Sequence, residues 1–457
     1  MLMVARATLV ILLFLGIVLP AGIASAQGLP FTGTPIDTRL LAPAPSDAPF
    51  LDASDEAWPV RVPPASDAAA KGVVRVWDVP AIDLRPFRAR NSLDRSLDEQ
   101  DAKALLGEQA ARARNEGPGA VQVHRATRRG VADALQSPGA TDASLVLRYV
   151  SGQRGLSGGD EIVLERTVFA YYAPEIYDER GALLDSTDPD AAPKAIVLIM
   201  PGLFGSPDTL IEDLISRLRA AGYGVLRLLA QPSRFTENFE VTLDLSTPSG
   251  CAAGARLLAD TFQGRAAECA YAVRATFGEL AKLRPETAGK KRGVIGMSAG
   301  AITLPTTVAL EPEAFHAAVL IAGGVDFWQT NYFSNYRDGI GTMRVNWVDV
   351  PKGASEPAAE AMHKLRDVYL ASAPLDGFHA ARSLKGKPVL VMHANLDAAV
   401  PAALGELMWE RLGRPERWAS NVGHEAIFVN MALQLDMLVS WMDRSLGFAP
   451  AEDAASE

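Results

Sequence analysis

The sequence predicts an α/β fold: a mostly parallel central sheet with helices on both faces. Three observations lead to it. From residue 195 onwards, short apolar runs of strand length alternate with stretches of helix-forming composition, as expected for βα units that cover a parallel sheet on both sides. The run AIVLIM at 195–200 is apolar at every position, the signature of a strand buried on both faces. The stretch GVIGMSAGAITLP at 293–305 sets an apolar run, a serine between glycines and a helix-like segment in direct succession, which reads as strand, sharp turn and helix.

Taken in order, residues 1–26 hold one positive charge, Arg6, an apolar run over 9–19, and Ala24-Ser25-Ala26 ahead of Gln27. This predicts a secretory signal peptide cleaved before Gln27. The apolar run is short for a bilayer span. The expected product is therefore exported, periplasmic or extracellular, without stable membrane insertion. Residues 27–143 form an N-terminal extension rich in Ala, Pro, Asp and Arg. Its segments APAPSDAPF and RVPPASDAAA read as extended and loose, and its one predicted helix covers 92–115, begun at Ser92 and ended at Gly117-Pro118.

The main domain is placed at 144–446, followed by a flexible tail at 447–457. Strands are predicted at 145–149 and 162–172, joined by a Gly-rich turn, then at 195–200, 224–229, 293–297, 317–321, 388–392 and 417–420. Helices are predicted at 209–221, in a stretch ending near Leu283, and at 299–310, 402–412 and 425–444. An insertion of about 327–384 interrupts the alternation as a cap. It begins DFWQTNYFSNYRDG, and the clustered Phe327, Trp328, Tyr332, Phe333 and Tyr336 predict a lid.

Composition narrows the function. With 457 residues, 48% hydrophobic and 21% charged, the chain can bury a large core. A net charge of −10 without a long basic run excludes a nucleic-acid surface. Two cysteines in an exported chain, Cys251 and Cys269, predict one disulfide. An unbroken helix would hold them roughly 27 Å apart, whereas a disulfide needs Cα atoms within about 7 Å. Gly254 and Gly264 are the expected breaks.

Ser298, flanked by Gly296 and Gly300 two residues to either side, is the candidate nucleophile. Close approach of strand and helix at such a turn requires small residues there, and the amide of Ala299 at the helix start can stabilise an oxyanion. A nucleophilic serine needs a base and an acid that orients the base. Of six histidines, His424 in NVGHEAIF follows a short strand and precedes a helix, at the sheet edge expected for Ser298. His393, ending PVLVM, is the rival base, better suited to supporting the acid loop. His124, His316, His363 and His379 read as surface or packing residues. Asp397 in HANLDAAVP is the expected acid, with helix capping as its alternative role, and Asp326 is the second choice. The loop PGLFGSPDT at 201–209 offers the amide of Leu203 as a second oxyanion donor.

PGLFG, GMSAG, HANLDAAVP and VGH, in this order along the chain and at this spacing, make residues 145–445 resemble the α/β-hydrolase superfamily, of the esterase and lipase type. The sequence departs from it at Pro201, where many lipases and esterases carry histidine. The resemblance implies hydrolysis of an ester, thioester or amide through an acyl-enzyme, without metal or organic cofactor, on a small-molecule or lipid-like ester substrate. Phe204, Met297, Phe327 and Trp328 are the expected pocket residues. A serine peptidase or amidase, and an inactive hydrolase fold used for binding, are the alternatives.

Overall fold

The computed structural model describes residues 40–51, 74–80, 121–123, 144–154, 162–185, 188–202, 208–230, 239–337, 343–348, 350 and 354–448. The predicted signal peptide and the predicted helix over 92–115 lie outside the described residues, as do residues 449–457.

A ten-stranded sheet runs in the order β1-β3-β4-β6-β5-β8-β9-β11-β12, with β2 beside β4. Its strands are β1 Val74–Pro80, β2 Val121–Val123, β3 Leu145–Arg154, β4 Ile162–Tyr172, β5 Ala195–Met200, β6 Tyr223–Ala230, β8 Arg292–Met297, β9 Ala317–Ile321, β11 Val389–Ala394 and β12 Glu416–Ser420. The predicted hairpin is present: β3 and β4 pair antiparallel, with Leu145 opposite Tyr171 and Arg154 opposite Ile162. From β6 to β12 neighbouring strands are parallel. β5, β9 and β11 are buried along their whole length, which is why those strands read as continuous apolar runs rather than alternating ones. Parallel pairing also brings the ends of β8, β11 and β12 to one edge of the sheet, so the loops bearing Ser298, Asp397 and His424 emerge together.

Two core layers flank the sheet. On one face lie α1 Asp208–Ala220, α8 His424–Leu433 and α9 Leu435–Leu446, burying Leu214, Leu218, Ile427, Leu438 and Trp441 against Val197 and Ile295. On the other lie α2 Pro248–Leu283, α3 Ala299–Leu310 and α7 Ala402–Arg411, where Leu258, Val273, Leu304 and Met408 pack against Leu198 and Leu320. The single helix predicted over 425–444 is two helices that meet at Gln434, whose N–H bonds to Met431 O.

Four strands escaped prediction, β1 and β2 of the N-terminal extension among them. β7 Phe239–Asp244 and β10 Met343–Val348 form a separate two-stranded parallel sheet. β10 belongs to the insertion, together with α4 Phe327–Tyr332, α5 Ala359–Ala371 and α6 Gly377–Ala380. Among the described residues, no helix is long and apolar enough to cross a membrane.

The expected disulfide is not formed. Cys251 and Cys269 are buried and not bridged to each other, and both lie on α2, a continuous helix of 36 residues capped by Thr247. The geometry that forbids a bridge along one helix therefore applies. Gly254 does not break the helix; a Cβ there would meet Leu243 Cδ2 at 2.8 Å, so this glycine lets α2 lie against β7.

The N-terminal extension contributes more than loose chain. β1 and β2 extend the sheet, and residues 40–51 form a strap across the second core layer, with Leu40 and Ala44 buried in it. Gln329 uses its amide to pair with both backbone groups of Ala42, at 3.2 Å each. The Arg411 guanidinium lies between the rings of Phe50 and Phe378, 3.8 and 4.0 Å from their centroids, and donates to Ser46 O and Ala48 O. Leu51 N donates to His379 Nδ1 at 3.1 Å. Burial lowers the His379 pKa to about 4, leaving a neutral ring able to accept that bond.

Candidate active site

At the end of β8 the backbone turns through Ser298 with φ 51° and ψ −116°, a conformation costly for a non-glycine residue. It persists because its surroundings fix it. Ser298 N donates to Ile321 O on β9 at 2.8 Å, and Ser298 O accepts from Ile302 N at 2.9 Å inside α3. The two glycines are sterically required. A Cβ on Gly300 would sit 2.0 Å from Met200 O, and one on Gly296 would sit 2.7 Å from Gly300 O. The turn thus lifts the Ser298 side chain clear of both strand and helix.

The predicted partners converge on it. His424 Nε2 lies 2.9 Å from Ser298 Oγ, and His424 Nδ1 lies 2.7 Å from Asp397 Oδ2. Both acid and imidazole are almost fully buried, with side-chain exposures of 4% and 6%. The other Asp397 oxygen accepts from Ala399 N and Val400 N at 2.9 and 2.8 Å, so the carboxylate is fully engaged and its orientation is fixed. Backbone bonds tie the acid loop to the histidine loop: Asn395 N donates to Ser420 O, and Leu396 N to Val422 O. Both loops leave adjacent parallel strands, and this pinning sets the distance between Asp397 and His424.

Ala299 is the first residue of α3, so its N–H has no intrahelical acceptor and is placed to meet an anion. Gly202 abuts the serine, since a Cβ there would come within 3.3 Å of Ser298 Cβ. Leu203 and Phe204 lie outside the described residues. Met297 is wholly buried in the first core layer, and Phe327 and Trp328 in the second. Trp328 stacks on Tyr332, with centroids 4.8 Å apart, and meets Trp347 edge-on, so much of the aromatic cluster forms the interior of the cap.

The other predicted candidates have different duties. His393 packs against Gly405, whose missing Cβ leaves room for its ring. His316 Nδ1 accepts from Arg292 N at 3.2 Å. Asp326, the second-choice acid, does not bond to His424. It caps α4 in a left-handed conformation, and its two oxygens accept from Gln329 N and Gln329 Nε2 at 3.0 and 2.7 Å.

Next to it lies a residue that sequence reasoning passed over. Asp376 accepts from Asp326 N, Phe327 N, Phe378 N and the Tyr369 hydroxyl at 2.6 to 2.8 Å. Burial raises the Asp376 pKa, and these donors offset that rise only in part. Burial, and then the neighbouring Asp376 charge, raise the Asp326 pKa from 3.8 to about 7. An acid that keeps its proton in the folded state but loses it in the unfolded chain makes stability fall as pH rises. The window runs between those two values. We expect the parent to lose stability relative to Asp326→Asn as pH rises from 4 to 7; denaturant unfolding of both proteins across that range measures the difference, and parallel pH profiles would refute it.

No protein-family model matches the chain, and no curated protein sequence does. Solved structures that overlap it include the Pyrococcus furiosus esterase Pf2001, with 16% identity over 62% of this chain and 89% of that one and a TM-score of 0.37. Est1E from Butyrivibrio proteoclasticus overlaps with 12% identity over 62% of this chain and 95% of its own, TM-score 0.36. A Pyrococcus horikoshii acylaminoacyl peptidase overlaps with 13% identity over 62% of this chain and 40% of its own, TM-score 0.38. The matched region thus spans well under half the length of the peptidase. Overlaps this low leave the functional argument to the geometry of the site.

Proposed function

We propose that the protein is a serine hydrolase of the α/β-hydrolase type, cleaving carboxylic esters or related acyl bonds through an acyl-enzyme on Ser298. The observation that carries this reading is the unbroken hydrogen-bonded chain Asp397–His424–Ser298, ending on a serine held in a strained turn. Ser298 Oγ attacks the substrate carbonyl carbon as His424 Nε2 takes its proton, and Asp397 holds the imidazole in the required tautomer and orientation. The carbonyl oxygen becomes an oxyanion that the Ala299 amide stabilises, with the Leu203 amide as its proposed second donor. Collapse breaks the acyl–oxygen bond, and the leaving alcohol takes the proton from His424. Water then attacks the acyl group with His424 again as base, releasing the acid and restoring Ser298.

Labelling with a fluorophosphonate, followed by p-nitrophenyl esters of increasing chain length and a parallel p-nitroanilide series, tests the reading. Labelling at Ser298 with turnover of esters supports it. Turnover of anilides alone would move the assignment to a peptidase or amidase, and inertness to every reagent would favour a binding protein. We further propose that the mature chain is exported and begins at Gln27; mass spectrometry of the secreted protein that finds Met1 intact would refute this.

A further inference from the structure

The turn that follows α4 reaches from the cap to the Asp397–His424 pair. Asn335 N donates to Ala398 O in the acid loop at 2.9 Å, and Tyr336 N donates to Ser334 Oγ at 3.1 Å, which shapes the turn. The Tyr336 ring meets the His424 imidazole edge-on, with centroids 6.0 Å apart and planes at 88°. The Tyr336 hydroxyl donates to Glu425 Oε1, on the residue directly after His424 in the first turn of α8. Phe428, one helical turn on, meets the imidazole edge-on as well, at 5.5 Å.

Resting on the hydrolase reading, we propose that Tyr336 is a positioning residue for His424, clamped to the histidine's own helix by Glu425. The arrangement has a physical logic. An imidazole bonded at both nitrogens can still tip about the line joining them, and rings packed edge-on against it resist that motion. Phe428 moves with α8, whereas Tyr336 belongs to the cap. Tyr336 therefore ties the imidazole to a part of the fold independent of its own helix, and its turn is also bonded to the acid loop. It covers the buried Asp397–His424 pair from the cap side. Burial and the Glu425 contact keep the phenol protonated, so it remains a donor throughout the working range of a histidine base. Glu425, exposed at the helix start, can in turn accept without a second burial penalty.

The test uses the full chain and two readouts. One is the low-field proton resonance of His424 Nδ1–H, which reports the bond to Asp397 and its exchange with water whether or not the protein turns over substrate. The other is the rate of fluorophosphonate labelling, which reports activation of Ser298. Tyr336→Phe keeps the ring and removes only the clamp; Tyr336→Ala removes both; Glu425→Gln keeps an acceptor of weaker strength. Tyr336→Ala should broaden the resonance by water exchange and slow labelling roughly ten- to a hundredfold, the scale expected when a catalytic group loses its alignment. Tyr336→Phe and Glu425→Gln should show the same changes to a smaller extent. If Tyr336→Ala does not fold, the other two variants decide. Resonance and labelling within about twofold of the parent in the folded variants would overturn the proposal. A parent that never labels, yet whose resonance broadens in the variants, would refute the hydrolase reading and leave the clamp standing.

Discussion

Ser298→Ala and His424→Ala are each expected to lower kcat roughly a millionfold, and the double substitution to cost little more, because groups that act as one unit are strongly non-additive. The hydrogen bond between Ser298 Oγ and His424 Nε2 at 2.9 Å is the reason: either change removes the same proton transfer. The proposed oxyanion donors are untouched by both changes, so slow hydrolysis above the rate in water should remain. Steady-state kinetics on a p-nitrophenyl ester, alongside denaturant unfolding to establish that the variants fold, measures the effect. Turnover near the parent rate in a folded Ser298→Ala protein would end the mechanism.

The second large effect separates the two candidate acids. Asp397→Asn should lower kcat about 10⁴-fold, because an amide in place of the carboxylate favours the wrong imidazole tautomer. Asp326→Asn should lower it less than about tenfold, since Asp326 is bonded to Gln329 rather than to histidine and can act on turnover only through the cap. Asp326→Asn should also change the pH dependence of unfolding, because burial and the neighbouring Asp376 raise the Asp326 pKa to about 7. If Asp326→Asn proved the more damaging change to turnover, the acid would have to be reassigned.

Much of the site was legible in the sequence because its residues are dictated by backbone geometry. Gly296 and Gly300 stand where any side chain would strike main-chain atoms, so the elbow leaves a mark that survives without knowledge of the rest of the fold. The apolar runs at β5, β9 and β11 were legible because burial on both faces requires it. What escaped depended on tertiary context. Among the described residues β7 and β10 pair only with each other, and the exposure of β10 alternates along its length, so neither carries a continuous apolar run. The break at Gln434 has no glycine or proline to announce it. Gly254 was read as a break when it is a contact point for Leu243, and the disulfide expectation failed with it. Tyr336 was visible only as one aromatic in a cluster, because nothing local ties it to Glu425, 89 residues away.

The strap at residues 40–51 bears on how the chain comes together in time. Its contacts with Gln329, His379 and Arg411 join positions 287, 328 and 365 residues apart in sequence. Contacts so distant close long loops, and their entropy cost is returned only once the segments they join are in place. A polypeptide made from its amino end carries this segment through most of its synthesis before Arg411 exists to receive Phe50. During that interval Leu40 and Ala44 lack the neighbours that bury them in the finished molecule, and this apolar stretch is open to chaperones or to another nascent chain. The strap is among the first described segments to be made and among the last to gain its partners.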